Sequence, residues 1–424
     1  MLSLLWCLFG ILSGVIFGVI PGAGPFLAIA TIYPLLLNLD PFNILIFYIS
    51  LLITTNYTNS VTAILYGIPG DASAVSTARH GHNLFLKGEG HLAVSSNAIS
   101  STIGSIFAIG LFLLFLPSIY TIFQFYNSTI QLFIVCLAIL LLTLLSKQKV
   151  WKTIPLFILG GVLAKIGFND MSYETWGTFG LDYLTLGIPF SSVMIGLYII
   201  PEIIKFRNVK MTKQKRITKF GYAPSTLPST GVGSFVGFWC GLVPGVTNIL
   251  GSYLSANLVK TDIRKIAAAE AANNSGALSS LLPLIVLGIP IVGSEVLIYY
   301  LILTQGFTFG IETLPVFSNI LYYIPIILGI CLFLSWSCFN LLGKLAYLYK
   351  KYKNTLTIGI VFFISIMSVY IYPVREWLLI SLIILSIVGY CLRKLDTFPI
   401  LYGYFLTDLF WDNLMRVMVI YDLS

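Results

Sequence analysis

Residues 14–24 read GVIFGVIPGAG, and residues 237–247 read GFWCGLVPGVT. Pro21-Gly22 and Pro244-Gly245 stand 223 positions apart. A second pair follows in the same order: LYGIPGDASAV at 65–75 and VLGIPIVGSEV at 286–296, with Pro69 and Pro290 separated by 221 positions. Two motifs in one order at nearly one offset mark an internal repeat. They predict two related membrane halves, 1–204 and 229–424, the second carrying the C-terminal spans, joined by a linker at 205–228.

Each motif interrupts an apolar run with residues that break helices. Proline removes a backbone N–H, and glycine admits positive φ and close backbone approach. In lipid a freed backbone is tolerated only inside protein or beside water. Broken helices with chemically active ends are therefore expected. A helix N-terminus offers unpaired N–H groups and about half a positive charge, which suits an anion. Unwound carbonyls suit a cation. Repeated halves that contribute discontinuous helices to a midplane site are a transporter pattern. On this reading Pro21, Gly22, Gly24, Pro25, Pro69, Gly70, Pro244, Gly245, Asn248 and Pro290 line a substrate site.

Composition sets the class independently. The chain of 424 residues is 58% hydrophobic and 9% charged, with a mean hydropathy of +0.94; soluble domains carry about 25% charged residues. An all-α polytopic membrane protein is predicted. Runs long enough to cross a bilayer, about 20 residues each, lie near 2–20, 42–66, 92–116, 128–146, 153–168, 183–204, 229–250, 277–305, 320–343, 355–372, 377–392 and 400–420. Ten to twelve spans are expected, some of them re-entrant. The first run lacks a basic flank and a cleavage signal, so it reads as a retained span.

The charges sort by loop. KFRNVKMTKQKRITK at 205–219 holds seven basic residues and no acid, and is placed in the cytoplasm by the positive-inside rule. It reads as a linker, not a nucleic-acid site. Lys147, Lys149 and Lys152 mark a loop of the same sign, as do Lys344, Lys350, Lys351 and Lys353; Asp170, Glu174 and Asp182 mark an outside loop. Six dispersed cysteines indicate neither a disulfide framework nor a metal site.

Polar residues within apolar runs come next. Asn56, Asn59 and Ser60 fall at i, i+3 and i+4 on one helical face, and Glu270, Asn273 and Asn274 repeat that spacing. Amides both donate and accept, so these faces suit a carboxylate or, through their oxygens, Na+. Interhelical hydrogen bonding is the competing structural reading. Acids inside membranes are functional candidates, which selects Asp71, Glu270 and Glu295 as ion-coupling groups. His80, His82 and His91 in RHGHNLFLKGEGH fit no zinc spacing, and the segment reads as an exposed or interfacial loop. No phosphate-binding loop ending in GKS or GKT occurs. No cofactor or metal is expected beyond Na+ or H+ as coupling ion.

GVIPGAGPFLAIATIYPLLLNLDP (18–41), TNSVTAILYGIPGDASAV (58–75), AAAEAANNSGALSSLLPLIVLGIP (267–290) and LRKLDTFPILYGYFLTDLFWDNL (392–414) resemble the large membrane subunit of the tripartite tricarboxylate transporters. The resemblance implies a secondary transporter for citrate or other carboxylates, driven by Na+ or H+. It implies a small membrane subunit and an extracytoplasmic binding protein as partners, and a multi-pass place in a prokaryotic plasma or inner membrane. Association between copies of the chain stays open. Two alternatives remain: a membrane enzyme or scaffold using the polar residues at 71–91, and a passive channel.

Overall fold

The computed structural model describes residues 2–20, 24–123, 127–144, 148–169, 174–199, 217, 221–243, 247–310, 318–349, 351–352, 359, 375–395 and 397–421. In chain order the helices begin with α1 (Leu2–Gly18), α2 (Gly24–Leu36), α3 (Pro41–Tyr66), a 3₁₀ turn (Ala72–Ala74), α4 (Val75–Leu86), α5 (Gly90–Phe123), α6 (Ser128–Leu144) and α7 (Val150–Lys165). There follow the strands β1 (Gly167–Asn169) and β2 (Glu174–Trp176), then α8 (Asp182–Thr185) and α9 (Phe190–Val193), which runs on as a π-helix over Met194–Ile199. The second half supplies α10 (Leu227–Gly241), α11 (Thr247–Asn257), α12 (Asp262–Ser279), α13 (Leu281–Leu287) and α14 (Gly293–Thr304). It ends with α15 (Ile324–Ser337), α16 (Phe339–Tyr349), α17 (Arg375–Leu392) and α18 (Phe398–Ile420).

Two compact units emerge. One comprises Met1–Ile29, Leu35–Phe123 and Val209–Lys353; the other comprises Ala30–Pro34, Gln124–Asn208 and Asn354–Ser424. Each takes segments from both sides of the basic linker, most of which lies outside the described residues.

The repeat is written into the packing of the first unit. On α1, Gly10, Gly14 and Gly18 form a stripe whose missing side chains let α3 approach. A Cβ on each would meet the carbonyls of Phe47, Leu51 and Thr55 at 2.5, 2.9 and 3.0 Å. On α10, Gly233, Gly237 and Gly241 face the carbonyls of Ala268, Ala272 and Gly276 on α12 more closely still. The glycines are related by an offset of 223 and their partners by 221. The two-residue difference matches the lengths of α2 and α11, 13 and 11 residues.

The match continues through the second motif. Asp40 caps α3 through Asn43 N–H at 3.1 Å, with Pro41 in the first turn, where its missing N–H costs nothing. The helix ends at Gly67, φ 65°, whose N–H donates to Ala63. Gly288, φ 66°, ends α13 in the same way on Leu284, and Ile68 and Ile289 donate to Thr62 and Pro283. Left-handed glycine caps of this kind free the next residues from the helix. The counterpart of the continuous α3 is the pair α12 and α13. It is interrupted at Ser280, three residues before Pro283, a residue that cannot supply a helical N–H.

Equivalent helices run in opposite senses. Ser60, near the C-terminal end of α3, meets Glu270 in the first half of α12. Tyr48, near the N-terminal end of α3, instead bonds Ser294, whose neighbour Glu295 reaches Ser280 at the far end of α12. Since α3 and α12 are repeat equivalents, the two repeats are inverted.

The fold is all-α apart from the short antiparallel β1–β2 ribbon at the edge of the expected acidic loop. Its spans depart from the twelve apolar runs. Among the described residues, two helices are long and apolar enough to cross a membrane, Pro41–Tyr66 and Gly90–Phe115, with a third if the 79° bent pair α15–α16 is one crossing. The expected span 277–305 is broken at Gly288–Val292, and 320–343 is bent at Cys338. The run 355–372 lies almost wholly outside the described residues. The break at Gly288–Val292 falls in the Gly-Ile-Pro motif that marked it in the sequence, whereas the bend at Cys338 lies in an apolar run without glycine or proline beside it. In the other unit, Gly160 and Gly403 seat α7 against α18, and Trp377 donates to the Gly187 carbonyl at 2.8 Å.

Candidate functional site

α3 is buried from Asn43 to Leu65, so its polar residues face protein on every side. α12 is equally enclosed from Ile266 onward despite its alanine- and asparagine-rich sequence. Glu270, 1% exposed, sits where these two helices meet α4 and α5. Ser60 Oγ donates to its Oε1 at 2.7 Å, Thr77 Oγ1 donates to the same oxygen, and Ser101 Oγ lies 3.4 Å from Oε2. Ser60 Oγ also stands 3.1 Å from Asn59 Oδ1.

The neighbouring amides are less complete. Asn56, Asn59 and Asn273 are each at most 1% exposed, and their Nδ2 atoms have no hydrogen-bond partner among the described residues. Asn273 Oδ1 accepts from Asn248 Nδ2 at 2.6 Å, which ties α12 to the first turn of α11. Asn274 is different: its amide donates to the Glu270 carbonyl at 3.0 Å within its own helix.

The first breaks adjoin this cluster. Gly24, φ 54°, opens α2 with its α-carbon side against Asp71, and Gly70 packs so tightly on Asn59 that any side chain there would collide with its backbone. Asp71 caps the 3₁₀ turn by accepting from Ser73 N–H at 2.8 Å. That turn packs on α11. Pro25 and Pro69 are half-buried beside these breaks, and Pro290 is buried in the second tip. Pro21, Gly22, Pro244 and Gly245 lie outside the described residues.

Glu295 occupies the first turn of α14, directly after the second break, and is fully buried. Its carboxylate accepts from Ile291 N–H at 2.6 Å, Val292 N–H at 3.2 Å and Ser280 Oγ at 2.6 Å. It ties the tip backbone to the α12–α13 junction, about 15 Å along the helix from Glu270 at 1.5 Å per residue.

The histidine segment is a correction. Residues 75–86 form α4, a helix with Thr77, Ala78, Gly81 and Leu84 buried, in place of the expected loop. Its apolar side recurs every three to four residues, a period hidden by the glycines and histidines around it. His80 Nδ1 pairs with Asp262 at 2.8 Å, Lys87 approaches the same carboxylate at 3.5 Å, and His82 Nδ1 lies 3.0 Å from the Ile64 carbonyl. Partial burial pushes the Asp262 carboxyl up, but the hydrogen bond and charge of His80, with Lys87, outweigh it and hold the group below its ordinary value. Among the described residues no three His, Cys, Asp or Glu side chains converge as a metal-holding group.

Sequence reasoning missed Thr77 and Ser101. Ser101 lies in AVSSNAISSTIGS (93–105), a hydroxyl-rich run within an otherwise apolar helix, and that density was the available signal.

Inverted repeats, interrupted helices and a buried polar centre define a class: an all-helical polytopic membrane protein. The family model described as the tripartite tricarboxylate transporter TctA family matches residues 4–401, and the chain belongs to that family. The family is one of tricarboxylate transporter components, which belong to a system with other subunits. The chain is similar to an uncharacterized 52.8 kDa protein in the TAR-I ttuC' 3' region of Agrobacterium vitis, 27% identical over 445 aligned positions covering 99% of this chain and 87% of that protein. It is also similar to uncharacterized protein MJ1079 of Methanocaldococcus jannaschii, 27% identical over 267 positions, 61% of this chain and 62% of that one. No solved structure matches it.

Proposed function

We propose that the chain is the multi-pass permease of a cation-coupled symporter in the cell membrane, taking up a small tricarboxylate or dicarboxylate. The observation that carries this reading is the set of three buried amide donors, Asn56, Asn59 and Asn273, without partners among the described residues. An unsatisfied buried donor costs roughly 1–3 kcal/mol. Three within a helical turn or so of the Ser60–Glu270 contact are explained by an acceptor that binds there. A carboxylate supplies such acceptors, and the adjoining helix starts at Gly24 and Thr247 add backbone N–H groups that favour an anion. Asp71, Glu270 and Glu295 are the acids from which coupling would be drawn. A small membrane subunit and an extracytoplasmic binding protein would deliver substrate.

Reconstitution tests this. Labelled citrate and dicarboxylates should accumulate in proteoliposomes against their gradient when Na+ or H+ is imposed outside. Flux that only follows the substrate gradient would make the chain a passive channel. No carboxylate flux, with or without partner subunits, would end the reading.

A further inference from the structure

Among the described residues, the hydrogen bonds that the Glu270 carboxylate accepts come from hydroxyl groups. Ser60 comes from α3, Thr77 from α4 and Ser101 from α5; Asn59 Oδ1 stands behind Ser60. Asp71, on the 3₁₀ turn, and Tyr57, on α3, act on it electrostatically, and neither brings positive charge. The described ion pairs that involve basic side chains both end on Asp262, two helical turns away. An isolated buried carboxylate costs several kcal/mol, and neutral hydroxyls return only part of that. A single positive charge completes the site.

The donor set says which kind of cation. Five oxygens from four elements, one of them a carboxylate oxygen, suit a hard cation. The cage carries one negative charge, which a monovalent ion balances and a divalent ion would overshoot. Each hydroxyl has lone pairs to turn toward an ion. We propose that the cage of Glu270, Ser60, Thr77, Ser101 and Asn59 binds one sodium ion. Asn59 then links ion to substrate, a step that rests on the transport reading above. Its Oδ1 joins the cage while its Nδ2 has no partner among the described residues, so an ion on the oxygen fixes the amide with its donors toward the substrate carboxylate. Coupling of this kind is reciprocal: each ligand raises the affinity for the other.

The test needs no substrate. Thermal stability of the purified full chain is followed while NaCl replaces KCl at constant ionic strength and pH. A ligand that binds only the folded state stabilises it progressively with concentration. Wild type should show a saturable sodium increment that potassium does not give, and Glu270→Gln should abolish it. Ser60→Ala and Thr77→Val should need about tenfold more sodium, the scale of one lost contact; they carry the test if Glu270→Gln does not fold. An increment that survives unchanged in these variants overturns the proposal. So does a wild type indifferent to sodium but stabilised by lower pH through Glu270, which would make the group a proton carrier. Sodium stabilisation without carboxylate uptake under any gradient would uphold the ion site and sink the transport reading. Uptake driven by a pH gradient, with no sodium effect, would do the reverse.

Discussion

Gly24 and Thr247 stand at equivalent positions of the two repeats and share one left-handed backbone conformation, φ 54° and 53°. Glycine holds it without strain. A β-branched residue there is an outlier, and left-handed backbone costs an ordinary residue roughly 1–2 kcal/mol. Thr247 retains one compensation, accepting from Ile249 N–H at 3.3 Å to cap α11. Asparagine tolerates this conformation and caps equally well. Thr247→Asn should therefore stabilise the protein by about 1 kcal/mol, and Gly24→Val should destabilise it by a similar or larger amount. Thermal unfolding of both variants in detergent is the measurement; a destabilised Thr247→Asn would locate a specific need for the threonine.

Asn56 separates ligand contact from structural glue. Its buried Nδ2 has no partner among the described residues, so removing it relieves an unsatisfied donor. Asn56→Ala should leave the melting temperature unchanged or raised. If the amide meets a substrate carboxylate, half-saturation for uptake should rise about 10- to 100-fold, matching 1.5–3 kcal/mol for a hydrogen bond to a charged group. A lower melting temperature with unaltered uptake would assign Asn56 to interhelical packing.

Glu295 faces a different demand. Its carboxylate accepts two tip N–H groups and the Ser280 hydroxyl, all within the protein. Glutamine keeps one acceptor oxygen and turns an NH₂ toward one side of that set. Glu295→Gln should cost about 2–4 kcal/mol of stability, the range for breaking a buried charge-assisted group. Uptake profiles against pH and Na+, measured on whatever folds, decide whether it also couples. Shifted profiles in a stable variant would move coupling from Glu270 to Glu295.

The Asp262 cluster predicts a pH dependence with a defined sign. Its folded pKa lies below the ordinary 3.8, so its contribution is present above that value and lost as pH falls through the folded pKa. Asp262→Asn should destabilise at neutral pH by no more than about 1 kcal/mol, as the carboxylate is partly exposed and screened by solvent. The gap between variant and wild type should close below about pH 4. A gap that persists in acid would show that Asp262 acts through packing, not charge.

What the sequence by itself determined is local or periodic. The 223- and 221-residue offsets, the proline breaks at 69 and 290 and the polar steps 56–59–60 and 270–273–274 rest on chemistry that each residue carries with it. Tertiary structure decided the rest. A serine or threonine in a helix can bond its own preceding carbonyl or a neighbouring helix, and spacing does not distinguish Ser105, which bonds Ser101, from Thr77, which reaches Glu270. Likewise a buried acid looks the same in sequence whether hydroxyls of other helices surround it or it holds a helix tip. Glu270 and Glu295 parted only when the chain brought hydroxyls from three helices to one and the backbone N–H groups of a break to the other.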